Sequence, residues 1–278
     1  MTVRADQEIT AQAAAQLMEP LTEIVSHAAA ATLATAFNAV ARRIKDDQSP
    51  VTSADEASEA VILDGLARLL PGVPVVSEES VANAPGQLGA SVVIVDPLDG
   101  TKEFLAGRDE FTVNVAIVTH GRPLAGLIAA PAQGLLWRGI VGGGAERLRI
   151  KWQTGAIEEC SAIHARPAPE RLRAPVSRSH LDPASENFLA RLPQVERYAC
   201  GSSVKFCHLA QGDADVYPRL APTHEWDIAA GCAILAAAGG TVTDPHGHPL
   251  RFAQPQVKYL VPGFIAWGDP AMVRPTSA

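Results

Sequence analysis

Between residues 20 and 44 the chain is rich in alanine and lacks glycine, and Pro20 stands where the first turn of a helix tolerates proline. One long helix is therefore predicted there, with residues 1–18 either extending it or fraying. A second helix is predicted after Thr52 or Ser53, either of which can cap it. Glu56 and Glu59 lie near its positive end, Ala57, Val61, Leu66 and Leu69 form an apolar stripe, and Pro71-Gly72 closes it. The apolar period then shortens into β-branched runs at residues 74–76, 91–95, 111–119, 124–130 and 135–141. Turn signals at Gly121-Arg122-Pro123 and Pro131-Ala132-Gln133-Gly134 separate successive strands at hairpin spacing.

This first half reads as two long helices on an antiparallel sheet. Residues 142–175 are richer in Gly, Pro and charge, which places a boundary there and gives two halves, 1–155 and 156–278. Beyond it, strands near Val176, Val195, Val216, Val242 and Phe264 alternate with helices near residues 183–192, 202–211 and 226–238. That alternation predicts a smaller α/β half, so the fold class is α/β in the broad α+β sense.

Composition narrows the function classes. Of 278 residues, 47% are hydrophobic and 19% charged, an ordinary globular balance. The 30 acids against 23 bases give a net charge of −7, which excludes the broad basic field that tracks nucleic acid, so a phosphate-bearing ligand has to be held locally. Cys160, Cys200, Cys207 and Cys232 show no zinc spacing and read as small buried apolar residues. Asp6 and Glu8 stand where a signal peptide needs a basic start, and there is no run of 18 apolar residues, so a soluble protein of a reducing cytoplasm is expected.

The most informative segment is 91–104, where an apolar strand ends in two carboxylates, Asp96 and Asp99, separated by Pro97-Leu98. Pro97 cannot continue the ladder, so the chain turns and the Leu98 carbonyl can join both acids in one oxygen-rich corner. Gly100 and Thr101 follow, and their N–H groups can face an anion if a short helix opens there. An acidic corner beside an anion site calls for divalent cations between them. Taken alone, Asp96 and Asp99 read equally well as a strand end and a turn cap. Glu78-Glu79 after the short strand, and Asp55 and Asp227 at helix starts, have bland readings too, as a solvated loop and as N-terminal caps.

Their combination changes the balance. Residues 96–101 read D-P-L-D-G-T, Glu78-Glu79 stand upstream, residues 49–55 read S-P-V-T-S-A-D, and residues 226–231 read W-D-I-A-A-G. These segments, in this order, resemble the inositol monophosphatase superfamily of magnesium-dependent, lithium-sensitive phosphatases over nearly the whole chain. Residues 99–104 (D-G-T-K-E-F), 110–118, 177–180 (S-R-S-H), 201–207 and 217–219 resemble its bacterial 3'(2'),5'-bisphosphate nucleotidase branch, the CysQ type.

The resemblance implies a layered αβαβα sandwich whose first half carries most metal ligands. It implies two or three magnesium ions: Glu78 and Asp96, with the Leu98 carbonyl, at the first; Asp96, Asp99 and Asp227 at the second; Glu79 toward a weaker third. Asp55 and Thr101 would orient the attacking water, with the direction of their proton relay open. Gly100, Thr101, Lys102, Ser203, Lys205 and Arg219 would contact phosphate or nucleotide beside Asp227, with His180 and Tyr217 near the base or ribose. Ala221 and Glu225 depart from the pattern and bear on the base pocket.

The implied reaction is hydrolysis of adenosine 3',5'-bisphosphate to AMP and phosphate, with 3'-phosphoadenylyl sulfate a second candidate substrate. Such hydrolysis is exceptionally slow uncatalysed, and two magnesium ions roughly 3.5–4 Å apart suit an in-line attack by water. The alternatives are an inositol-1-phosphate or fructose-1,6-bisphosphate phosphatase, a haloacid-dehalogenase-type phosphatase, and an inactive nucleotide-binding regulator. The expected partner is a small nucleotide and not a nucleic-acid polymer; the oligomeric state is open, as is loose attachment to the inner face of the membrane.

Overall fold

The computed structural model describes residues 8–36, 42–44, 50–84, 86, 88–178 and 181–274. Helix α1 (Ala11–Ala36) starts nine residues before Pro20, because Thr10 supplies a cap: its hydroxyl accepts from the Ala13 N–H at 3.2 Å. Its buried face, Ala14, Met18, Leu21, Val25, Ala28 and Ala29, steps by threes and fours along the sheet. That continuous burial offsets the one ladder bond Pro20 cannot donate. The helix does not reach Ile44, since Arg42–Ile44 is a strand paired antiparallel with Pro50–Thr52, a case of tertiary pairing overriding helix propensity. Residues 37–41 of the predicted helix, Ser49 and His180 lie outside the described residues. Helix α2 (Ser53–Leu69) is capped by Thr52 and spans the expected residues, but its buried face is Ala54, Asp55, Ser58, Ile62, Gly65 and Leu66; of the expected stripe only Leu66 is buried, and Ala57, Val61 and Leu69 are half-buried.

Seven strands form the main sheet in chain order: Val75–Ser77, Ser91–Asp99, Thr112–Thr119, Arg122–Ala130, Leu135–Ile140, Gly144–Lys151 and Ala156–Ile163. The first pair is parallel and the others antiparallel. The last two strands occupy the stretch read as a boundary, and the expected division at 155/156 falls in their hairpin turn. The edge strand Ala156–Ile163 is exposed except at Ile163, so it lacks the apolar alternation by which a strand is recognised. Cys160 lies on it and is exposed, against expectation, whereas Cys200, Cys207 and Cys232 are buried.

Central strands are buried on both faces. Val93 and Val95 face α1 and α2, while Val92 and Ile94 face the other side, toward α5 (Val204–Ala210) and α6 (Glu225–Ala237). The short helix α3 (Thr101–Leu105) packs its Phe104 with Ala54 of α2 and Leu98, and α4 (Pro183–Arg191) comes before α5 in the chain. Helices α5 and α6 supply that second covering layer. Gly126 lets α6 lie directly on the sheet: a Cβ there would come within 2.3 Å of the Ala230 carbonyl oxygen. Behind α5 and α6 lie Val216–Arg219, Phe264–Trp267 and Thr241–Thr243, paired in that order, and the parallel pair Leu172–Ser177 and Val195–Cys200. The Asp215 N–H joins the two groups by donating to the Arg173 carbonyl at 2.8 Å. Leu189 of α4 packs on this second sheet, which completes five layers, αβαβα.

Candidate metal centre

The strand Ser91–Asp99 pairs with Thr112–Thr119 through Asp96↔Asn114, slips across Pro97-Leu98, and pairs again at Asp99↔Thr112. The ladder is therefore bulged at Pro97 rather than ended, because Pro97 offers no N–H but the chain beyond it still reaches its neighbour. On α2, Ser58 donates to the Pro97 carbonyl at 2.8 Å, and the Leu98 N–H donates to Asp96 Oδ1 at 3.0 Å. Glu78 arrives at the end of the neighbouring strand, its N–H donating to the Val95 carbonyl at 3.2 Å. Asp227 comes from the first turn of α6. Glu78, Asp96 and Asp227 each bring an oxygen within 4.8 Å of the others.

Asp96 is buried, and its Oδ2 has no hydrogen-bond partner among the described residues. Burial, then Glu78, Asp99, Asp227 and Asp55, push its carboxyl well above the usual range. Burial and Asp227 push Asp99 up to about 6, against Lys205, the Ser203 N–H and Arg219. Carboxylates gathered this closely hold either protons or cations. An all-oxygen set with a buried acceptor left unsatisfied fits a hard divalent cation.

Asp55 and Asp227 occupy the same place in two different helices. Each is the third residue of its helix and closes a capping box. Asp55 Oδ2 accepts from the Thr52 N–H at 2.8 Å and its hydroxyl at 2.6 Å. Asp227 Oδ2 accepts from the His224 N–H at 3.2 Å and from the Thr223 hydroxyl. The capping reading and the site reading are thus compatible, because a carboxylate has two oxygens. Thr101 Oγ1 lies 3.4 Å from Asp55 Oδ1 and 3.2 Å from the Leu98 carbonyl oxygen. A carboxylate and a carbonyl both accept, so the Thr101 hydroxyl donates to this pair and its lone pairs face elsewhere.

The cleft is lined by Glu78, Asp96, Leu98, Asp99, Gly100, Thr101 and Lys102, together with Ser177, Ser202, Ser203, Lys205, Tyr217, Arg219 and Asp227 from later segments. Gly100 caps α3 at φ 89°, and a Cβ there would lie 3.0 Å from the Glu110 carbonyl oxygen, so glycine is needed. Ser203 is turned inward: its N–H donates to Asp99 Oδ2 at 2.5 Å and its hydroxyl meets Asn114 Oδ1 and Thr112 Oγ1, both at 2.8 Å. Ser202, which sequence reasoning passed over, sits at φ 43° and is the more exposed serine of the turn. The doubled serine was the signal; which one faces the cleft depends on that left-handed residue.

Lys205 is buried, donating to the Cys200 carbonyl at 3.3 Å and the Ser202 carbonyl at 2.5 Å, with its ammonium 5.1 Å from the Tyr217 ring centre. Arg219 Nε is buried with no hydrogen-bond partner among the described residues. Burial opposes the Arg219 charge, but Tyr217, Asp227 and Asp99 outweigh it and raise its pKa. Glu79 and Asp55 are not among the lining residues; Asp55 reaches the cleft through Thr101. Glu225 points away from it, accepting from the Ala253 N–H at 2.5 Å and the Gln254 N–H at 3.0 Å, so its departure from the pattern does not touch the cleft lining.

Residues 6–268 match the model of the inositol monophosphatase family. The chain is 42% identical over 224 residues to the 3'(2'),5'-bisphosphate nucleotidase CysQ of Escherichia coli K12, covering 79% of this chain and 86% of that protein. The same-named protein of Aggregatibacter actinomycetemcomitans is 31% identical, with 90% and 91% covered. Among solved structures, CysQ from Bacteroides thetaiotaomicron, described as a bacterial member of the inositol monophosphatase family, aligns with a TM-score of 0.73 at 33% identity, covering 90% of this chain and 96% of that one.

Proposed function

The chain belongs to the inositol monophosphatase family, and from that premise we propose that it is a magnesium-dependent 3'(2'),5'-bisphosphate nucleotidase. Its substrate on this reading is adenosine 3',5'-bisphosphate, cleaved to AMP and phosphate, with 3'-phosphoadenylyl sulfate accepted as well. The observation that carries it is the presence, in one cleft, of a buried Asp96 Oδ2 among carboxylates and a buried Arg219 Nε, neither with a hydrogen-bond partner among the described residues. The likeness to CysQ nucleotidases supports the choice of substrate.

In this proposal Glu78, Asp96, Asp99, Asp227 and the Leu98 carbonyl hold two magnesium ions, and Glu79 borders a third. When bound, such ions supply positive charge to the phosphate and acidify a water nucleophile. The chain's own residues do the rest. Thr101, donating toward Asp55 or Leu98, accepts the water's proton-bearing edge and aligns it, which sets the relay running from water through Thr101 toward Asp55. Gly100, Thr101 and Lys102 border the reacting phosphate, and Arg219 offers a guanidinium fork to the second one. Lys205 and Ser203 shape that wall, and Tyr217, with His180, borders the nucleoside.

The test is phosphate release from adenosine 3',5'-bisphosphate, 3'-phosphoadenylyl sulfate, inositol 1-phosphate and fructose 1,6-bisphosphate, each with magnesium, with chelator and with lithium. Magnesium-dependent, lithium-inhibited turnover of the nucleotides is expected. A preference for inositol 1-phosphate would overturn the nucleotide assignment, and no turnover of any substrate with magnesium or manganese would favour a binding regulator.

A further inference from the structure

Glu110 stands where three segments bordering the cleft meet, and the proposed reaction gives it no role. Its backbone backs the turn after Asp99, with its carbonyl oxygen 3.0 Å from where a Gly100 Cβ would stand. Its carboxylate accepts twice from Arg178, Nε to Oε2 at 3.1 Å and Nη2 to Oε1 at 2.9 Å. Oε2 also accepts from the Gly201 N–H at 3.1 Å. Arg178 follows the cleft-lining Ser177, and its Nη2 reaches the Ala199 carbonyl at 3.4 Å. Gly201 precedes the cleft-lining turn Ser202-Ser203, and a Cβ on it would come within 2.9 Å of the Glu110 Cβ and carbonyl oxygen. One residue therefore ties the turn after Asp99 to two other cleft-lining segments, at Ser177-Arg178 and at Gly201-Ser203.

The pair is suited to orientation more than to holding the fold together. The Glu110 and Arg178 side chains are 23% and 37% exposed, and ion pairs of that exposure contribute little to stability. A two-point fork nonetheless sets direction and distance. Burial works to raise the Glu110 carboxyl, but Arg178 and the Gly201 N–H overcome it and hold it below the usual range, so the carboxylate is charged at neutral pH.

We propose that Glu110 and Arg178 are positioning residues that fix the spacing between the turn after Asp99 and the cleft-lining segments at Ser177 and Ser202-Ser203, and so select ligands that touch both, those with a second anionic group beyond the reacting phosphate. The nature of that ligand rests on the nucleotidase reading; the spacing does not.

Two measurements decide it. With saturating magnesium, kcat and KM are measured for Glu110→Gln, Arg178→Met, Arg178→Lys and the Glu110→Gln/Arg178→Met double variant, on adenosine 3',5'-bisphosphate and on a small one-phosphate aryl ester. The expected result is KM for the bisphosphate raised about tenfold in Glu110→Gln, with the double variant no worse, Arg178→Lys intermediate, and kcat and the aryl ester's KM within about twofold of wild type. Equal losses on both substrates, or an unchanged bisphosphate KM, would overturn the selection role. Hydrogen–deuterium exchange of the ligand-free protein is expected to quicken in residues 172–178 and 199–203 of the Glu110→Gln and Arg178→Met variants. Unchanged exchange there would overturn the spacing role whatever the substrate, whereas a wild type that ignores the bisphosphate would fail only the nucleotidase reading.

Discussion

Gly126→Ala tests how far the position of Asp227 depends on the contact between α6 and the main sheet. A Cβ on Gly126 would lie 2.3 Å from the Ala230 carbonyl oxygen and 2.9 Å from its Cα. Contacts under 3.0 Å do not occur and ordinary contact begins at 3.4 Å, so α6 has to withdraw by about 0.7 to 1.1 Å. The obstructing atoms are backbone, so no side-chain rotation relieves them. Overpacking of this kind costs ~1–3 kcal/mol of stability. Asp227 is three residues from Ala230 on the same helix, while Glu78 and Asp96 stay with the sheet, so the withdrawal also opens the carboxylate triangle. Misplacement by about 1 Å can cost ~100-fold in a site, and a rise of at least tenfold in the magnesium needed for half-maximal phosphate release is expected. Urea unfolding without metal measures the first effect and a magnesium titration the second. Gly86→Ala, where nothing lies within 4 Å, serves as the control and should change neither. A loss of stability with unchanged magnesium dependence would show that α6 does not transmit the shift to Asp227, and an unchanged variant would refute the close approach itself.

Asp96→Asn should abolish turnover yet raise the melting temperature of the metal-free protein, because the amide can donate to Glu78 or Asp227 where Oδ2 now has no partner; a fall in melting temperature would count against the repulsion described. The pH dependence has a definite sign. Asp99, raised from 3.8 to about 6, and Asp96, raised further by burial and its neighbours, bind protons more tightly folded than unfolded. Their contribution is thus full below the unfolded value and is lost as pH rises through about 6 and above. Magnesium should consequently raise the melting temperature more at pH 8 than at pH 5, measured by calorimetry, and equal shifts would contradict it. Ser202→Ala should raise KM severalfold with little change in kcat, whereas Ser203→Ala, by freeing Asn114 and Thr112, should act on kcat and the magnesium requirement; steady-state kinetics with the roles reversed would sink this division of labour.

Much of the site was legible because its parts are local. Asp96 and Asp99 with Pro97 between them announce a kinked, acid-bearing strand, and Thr52 with Asp55 announces a helix start, since both patterns lie within a few residues. Partners that meet only through the sheet register and helix placement left no such trace: Ser58 on the Pro97 carbonyl, and Ser203 on Asp99, separated by 39 and 104 positions. The edge strand Ala156–Ile163 falls in the stretch read as a boundary because a strand with two wetted faces carries no apolar alternation.

The sequence by itself determined the α/β class, the order of the acidic segments and their oxygen-only character, because strand burial, caps and carboxylates are properties of short stretches, while the five-layer arrangement was implied by the family resemblance. The tertiary structure alone decided that Asp96 is left with an oxygen unmatched among the described residues, that Glu225 turns away from the cleft, that Ser202 rather than Ser203 is the more exposed, and that Glu110 meets Arg178 and Gly201 beside the turn at Gly100. Each of these depends on what is packed against a side chain from a distant part of the chain, and a hydrogen-bond partner or its absence exists only once the elements have been brought together.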